Sequence, residues 1–362
     1  MKKIFSTISS IVMFCVLAAG LFLTGCGENG VREIMNVSYD PTREFYEDYN
    51  QKFVEHWAAS NNGEKISVDQ SNGGSGSQAK KVAEGLEADV VTLALGYDID
   101  LIGESIPGAL SENWVNNFEN SSCPYVSTIV FLVKKGNPKN LKDWNDLAQP
   151  GIAVITPNPR TSGGARWNYL AAWGWQLKQE LGTLDSVFLK DPANAEKVKA
   201  ANEKAYDLVK KIHLNAKQTG MPEGARSATN LFVRDGEGDV LLAWENEALK
   251  AVYGDNNPNF EIVYPTVSII AEPSVAVINT TVERKQTRDI AEEYLKFMYT
   301  PEIQRLIMEH YYRPCDNALL EEKKDIFKSL ELFRFADVFG TWSEVQKEHF
   351  SNGGVFEKMM EE

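Results

Sequence analysis

Four turns carry the residues best placed for chemistry: Ser38-Tyr39-Asp40, Asn72-Gly73-Gly74-Ser75-Gly76-Ser77, Arg160-Thr161-Ser162-Gly163-Gly164-Ala165 and Glu223-Gly224-Ala225-Arg226-Ser227. In each, small residues stand where a strand should give way to a helix. The first turn of a helix leaves backbone N–H groups unpaired and carries partial positive charge. Glycine lets an anion approach those groups with no side chain in the way. One such turn is an ordinary tight turn. Four of them, at the carboxyl ends of parallel strands, would converge on one crevice. The chemistry they suit is anion binding.

Other chemistries find no support in the spacing. The run Gly73–Lys80 has glycines but lacks the lysine-hydroxyl pair of a nucleotide-binding loop. No G-x-G-x-x-G follows a strand, and no G-x-S-x-G elbow points to a hydrolase. Asp40 with His56 or His310 and a serine has no triad spacing, and the four histidines (His56, His213, His310, His349) have no metal-ligand spacing. Neither catalysis, a metal nor a cofactor is expected. With 37 basic against 51 acidic side chains, the net charge of -14 argues against nucleic acid as a partner.

The elements that must position these turns alternate. Strands are expected at 34–38, 65–68, 88–93, 128–133, 152–156, 239–244, 260–264 and 274–278, with helical patterns between most of them. Phe45, Tyr49, Phe53 and Trp57 recur every fourth residue, giving one apolar helix face. Asp40-Pro41 offers an N-cap and a proline at the first helical position, and Thr300-Pro301-Glu302 begins a late helix. Alternation of this kind predicts an α/β architecture with mostly parallel sheets. A length of 362 residues suggests two domains.

The N-terminus sets the compartment. Lys2 and Lys3 precede an apolar run from Ile11 to Leu23, too short for a comfortable membrane span and read as a secretory signal, 1–25. It ends in Leu23-Thr24-Gly25-Cys26, which resembles a bacterial lipobox. Lipidated Cys26 would then anchor the chain to the cell membrane through acyl chains, followed by a short tether, 26–32. Cys123 and Cys315 remain in an oxidising compartment, as a disulfide or as two free buried thiols.

Several long segments resemble one family. They are Asn36-Val37-Ser38-Tyr39-Asp40-Pro41-Thr42-Arg43-Glu44, Gly73-Gly74-Ser75-Gly76, Ala88–Leu95, Phe131–Pro138, Asp143–Leu147, Ile155–Pro159, Thr161–Leu170 and Ala243–Ala248. In this order they are similar to the bacterial sulfate-binding proteins, over nearly all of 34–356. The resemblance implies a two-lobed, type II periplasmic-binding-protein fold, each lobe a mostly parallel sheet flanked by helices. Connectivity suggests hinge crossings at Cys123–Val126 and Tyr264–Ile270, with lobe one as 33–125 plus 270–362 and lobe two as 126–269. It also implies capture of sulfate by a monomer and delivery to an ABC permease with its cytoplasmic ATPase.

Carried over by position, the sulfate contacts implied are the N–H of Asp40, the hydroxyl of Ser75, the hydroxyl and N–H of Ser162, the N–H groups of Gly163, Gly164 and Ala225, and the indole N–H of Trp244. Arg166 and Arg226, beside the turns, either support the site from behind or form salt bridges elsewhere. Two departures stand out. The family's common Ser-His-Gly-Gly reads Ser71-Asn72-Gly73-Gly74 here, so a pH effect through that histidine should be absent. Family members often have other residues at Cys123 and Cys315, and two cysteines there favour the disulfide.

All the implied contacts donate hydrogen bonds and none carries a full charge. Such a site suits a fully ionised oxyanion, whereas the proton of hydrogen phosphate would go unpaired at a cost of ~1–3 kcal/mol. Thiosulfate, molybdate or tungstate are the rival ligands. A rival of another class is an exported hydrolase of sulfate or phosphate esters.

Overall fold

A computed structural model describes residues 30–361. The expected signal peptide, Cys26 and most of the tether lie outside the described residues. The tether is shorter than expected, because Arg32 already opens the first strand and is fastened by Glu64 (2.8 Å) and Asp289 (2.9 Å).

Among the described residues the strands are, in chain order, β1 (Arg32–Tyr39), β2 (Ile66–Gly73), β3 (Val90–Leu93), β4 (Tyr125–Val126), β5 (Ile129–Lys134), β6 (Val154–Ile155), β7 (Val240–Trp244), β8 (Phe260–Val263), β9 (Val267–Ile270), β10 (Ser274–Val277), β11 (Arg313–Pro314) and β12 (Glu331–Arg334). The molecule has two lobes, each built on one four-stranded sheet. The first has the order β10-β3-β1-β2 and the second β6-β7-β5-β8. Inner strands such as β3 and β7 are buried along their whole length, as strands covered by helices on both faces should be.

The first sheet matches the expectation of mostly parallel pairing: β1 runs parallel to β2 and to β3, with only β10 antiparallel. The second does not, since β5 runs antiparallel to both β7 and β8. The cause is the crossings. β5 enters its sheet directly from the first crossing, so it starts beside the end of β7, with Ile129 opposite Trp244. β10 does the same beside β3, with Ser274 opposite Leu93. A strand that starts where its neighbour ends must run against it, and hydrophobic patterning carries no sign of direction.

Helices cover the sheets as the apolar spacing requires. Arg43–Ser60 buries Phe45, Tyr49, Phe53 and Trp57 against the first sheet's core. Gly163–Leu181 is buried on nearly every side from Gly163 to Trp175, the condition of a helix enclosed within a domain rather than lying on it. It stops at Gly182, whose φ of 72° is a left-handed cap that glycine adopts without strain.

The C-terminal stretch departs from the expected boundary. Rather than staying with the first lobe, β12 pairs in parallel with β9. Phe333, Phe335, Val345, Phe350, Phe356 and Met359 then share one core with Trp167, Trp173 and Leu208. Thus 331–361 packs with the second lobe, because its large apolar residues complete the cover of the helix Gly163–Leu181. The two anticipated crossings lie side by side, joined by paired backbone hydrogen bonds between Ser127 and Ala271 (3.0 and 2.9 Å).

Cys123 and Cys315 flank the β4–β11 pair, and of the two alternatives, a disulfide or two free thiols, both are free thiols here. Each sulfur turns to a backbone carbonyl instead: Cys123 Sγ to Tyr125 (3.1 Å) and Cys315 Sγ to Pro124 (3.1 Å). Burial pushes both thiols up, Cys315 to about 11.

Candidate functional site

All four turns open a helix, but only two directly end a strand. Arg160–Ala165 follows β6 through a loop, and Glu223–Ser227 follows the helix Ala195–Lys217 rather than a strand, because a helix start leaves its N–H groups unpaired whatever precedes it. After β1 a short helical turn begins at Asp40; after β2, Gly74 precedes the helix Ser75–Ala83. Ser162 caps Gly163–Leu181 and Gly224 precedes Ala225–Val233. The expected N-cap role of Asp40 falls to Tyr39 instead, which puts the Asp40 N–H inside the first helical turn. Acidic side chains are favoured in a helix's first turn by the macrodipole. The helices starting at Ser75, Gly163 and Ala225 have none there. Their positive ends are left to a ligand.

These starts converge. A single small cavity is lined by Tyr39, Asp40, Pro41, Gly73, Gly74, Ser75, Ala94, Ser162, Gly163, Gly164, Ala225 and Trp244. It brings together every residue expected to touch the anion. Its volume is about 10 Å³, the space of about one enclosed water-sized sphere. Larger clefts exist, such as one of about 490 Å³ beside Asp98 and Arg166, but it is an open groove that none of these donors lines.

Two lining residues carry a buried polar atom with no partner, Tyr39 and Trp244, and that of Trp244 can only donate. Trp244 ends β7, is 1% exposed, and its indole Nε1–H has no hydrogen-bond partner. A buried donor left unpaired costs ~1–3 kcal/mol, so it calls for an acceptor supplied from outside the chain. The approach is tight. A Cβ on Gly164 would lie 2.4 Å from that nitrogen, and one on Gly74 would lie 2.8 Å from the Thr161 carbonyl oxygen. The second contact joins the two lobes at the cavity's rim. Ser77 to Glu223 (2.7 Å) and Trp167 Nε1 to the Ala94 carbonyl (2.9 Å) do so as well. The lobes are closed.

Two donors differ from expectation. The Ser75 hydroxyl donates to Asp98 (2.5 Å) and accepts from the Ala94 N–H (3.0 Å), so its proton is committed within the protein. What Ser75 retains is a backbone N–H at the first position of its helix. Ser162 reverses the pattern. Its backbone N–H goes to the Asn158 carbonyl (2.9 Å), while its Oγ accepts from the Ala165 N–H (3.3 Å) and keeps its own proton to give.

Arg166 and Arg226 are both bound to carboxylates of the other lobe. Arg166, 4% exposed, pairs with Asp98 at 3.0 Å and donates to the Pro159 carbonyl at 2.9 Å. Arg226 grips Glu44 (2.6 and 2.8 Å) and Glu247 (3.0 and 2.8 Å), and Lys250 adds to Glu44 at 2.6 Å. Burial alone would push Glu44 up, but its pairs with Arg226 and Lys250 outweigh it and hold the carboxyl at about 2. The carboxylate of Asp40 faces Arg43 at 3.5 Å. No uncommitted cation stands in the cavity wall among the described residues.

Sequence reasoning missed Asp98, which joins Ser75 to Arg166 across 23 and 68 residues of chain. No local pattern signals such a hub. Asn72 does not line the cavity; it accepts from Gln70 at 3.3 Å. Among the described residues no cluster of three or more histidines, cysteines or acids is arranged to hold a metal ion.

Comparison with known proteins identifies the family. The family described as bacterial extracellular solute-binding protein matches residues 37–313. The chain belongs to this family. A sulfate-binding protein from Salmonella typhimurium is 49% identical over 327 residues, covering 90% of this chain and 92% of that protein. A thiosulfate-binding protein from Pseudomonas aeruginosa is 39% identical over 359 residues, covering 99% of each. Among solved structures, the sulfate-binding protein SubI from Mycobacterium tuberculosis superposes with a TM-score of 0.71 at 28% identity, covering 88% of this chain and all of that one. Family members of this kind are extracytoplasmic solute-binding proteins.

Proposed function

We propose that this protein captures sulfate between its lobes and delivers it to an ABC importer. The observation that carries the reading is the buried, unpartnered indole N–H of Trp244 in a cavity walled by helix N-termini. The available donors are the N–H groups of Asp40, Ser75, Gly163, Gly164 and Ala225, the Ser162 hydroxyl and that indole. Each hydrogen bond to a charged guest contributes ~1.5–3 kcal/mol, offset by the guest's loss of water. An enclosed, donor-rich wall favours a small dianion that has no proton to place.

Binding closes the lobes about the crossings at 123–126 and 264–270, and the closed form is what the permease and its ATPase would meet. Lipidated Cys26 would hold the receptor at the outer face of the cell membrane, with the first strand starting at Arg32 only a few residues on. No histidine lines the wall to serve as a base for the hydroxyls of Ser75 and Ser162. This supports a receptor over an ester hydrolase. Thiosulfate is the second reading, favoured by the long match to the Pseudomonas aeruginosa thiosulfate-binding protein.

The test is calorimetric titration of anion-free protein with sulfate, thiosulfate, molybdate and phosphate in parallel. One-to-one sulfate binding that equimolar phosphate leaves intact is expected. Preference for thiosulfate or molybdate would keep the transport role and move the substrate. No binding to any of the four would contradict the proposal.

A further inference from the structure

Trp244 is the last residue of β7, and no hydrogen bond within the protein fixes where its indole N–H points. The residue after it is clamped. Glu245 is fully buried, and its carboxylate receives a two-pronged fork from Arg313: Nε to Oε2 at 2.6 Å and Nη2 to Oε1 at 2.8 Å. Arg313 is itself held, since Nη2 also donates to the Lys328 carbonyl (2.9 Å) and the guanidinium lies 5.7 Å from the centre of the Phe327 ring. It stands on β11, opposite Val126 of β4, at the mouth of the first crossing. Glu245 belongs to the second lobe. The pair therefore ties the crossing to the strand end that carries the donor.

We infer that Arg313 is a positioning residue for Trp244, an inference that rests on the oxyanion reading of the cavity. By holding Glu245, Arg313 sets the end of β7 and with it the direction of the indole N–H, while touching no ligand itself. The tolerance is small: Trp244 packs on Tyr39 with ring centres 5.5 Å apart, and its Nε1 faces Gly164 where not even a Cβ fits. Hydrogen bonds weaken steeply as they bend. Without Arg313, Glu245 would be left as a buried, uncompensated charge. It would move toward water and take Trp244 with it.

The test is a double-mutant cycle read with sulfate and thiosulfate. Arg313→Gln, Trp244→Phe and the double variant are titrated calorimetrically, and the Trp244 indole ¹H–¹⁵N resonance, assigned by its loss in Trp244→Phe, is followed in parallel. Arg313→Gln is expected to weaken binding by about 10- to 100-fold and to shrink the anion-induced shift of that resonance. In the Trp244→Phe background the same change should add less than about 3-fold. Arg313→Lys keeps the charge but loses the fork, so it should recover part of the affinity; it carries the same comparison if Arg313→Gln does not fold. Equal weakening in both backgrounds, or wild-type affinity in Arg313→Gln, would overturn the inference alone. A wild-type protein that binds neither anion would overturn the cavity's reading and this inference together.

Discussion

The inner wall of the cavity and the ring of side chains around it are built on opposite principles. The wall consists of helix starts, one serine hydroxyl still free to donate and one indole, and its one charged side chain among the described residues, Asp40, is paired with Arg43. The ring is all charge, and each arginine is paired across the lobes: Arg166 with Asp98, Arg226 with Glu44 (and with Glu247 of its own lobe), Arg313 with Glu245. The difference explains how a protein of net charge -14 can present an anion site. Distant charge is screened within ~8 Å at physiological ionic strength, so local dipoles decide the binding. The ion pairs hold the closed lobes in register rather than meeting the guest.

The largest test of the wall is Gly164→Ala. Its Cβ would fall 2.4 Å from the Trp244 nitrogen, so titration should show sulfate affinity lost by more than about 100-fold while circular dichroism stays that of the folded protein. Trp244→Phe and Ser162→Ala each remove one donor and should weaken binding by ~1.5–3 kcal/mol, about 10- to 100-fold. Wild-type affinity in both would take them out of the site.

Acid separates stability from binding. Burial lowers His213 and His349 from the ordinary 6.5 to about 4. His213 bonds only the Val209 carbonyl (2.8 Å), and His349 meets the Tyr169 hydroxyl (2.8 Å), beside the C-terminal segment that covers Gly163–Leu181. Both stay neutral when folded, whereas the unfolded chain takes up protons below about 6.5. Stability should fall as pH drops from 6.5 to 4, by roughly 3 kcal/mol for each histidine. Denaturant titrations at several pH values check this. Sulfate affinity between pH 6 and 8 should be flat, because no histidine lines the cavity.

The smallest effect is expected from salt. With no free cation in the wall, a tenfold rise in sodium chloride should change the dissociation constant by less than about 3-fold. A steep salt dependence would give the binding to Arg166 and Arg226 and dissolve the contrast between wall and ring.

The turns were legible because small residues at helix starts leave a local trace, and all four reached the same cavity, although the one at Glu223–Ser227 joins two helices instead of ending a strand. Trp244 had no such trace: at the end of an apolar strand it reads as core, and only the family resemblance pointed to it. Asp98 and the grip of Arg313 on Glu245 were invisible, since each joins residues far apart in sequence. The direction of β5 and the return of 331–361 to the second lobe escaped notice for a related reason. Periodicity shows which face is buried, and says nothing of which neighbour buries it.

The most direct measurement is a crystal structure of the protein with sulfate. One anion is expected in the cavity, with oxygens accepting from Trp244 Nε1–H and the Ser162 hydroxyl and no arginine in contact. Sulfate bound directly to Arg166 or Arg226, or an empty cavity with sulfate elsewhere, would contradict it.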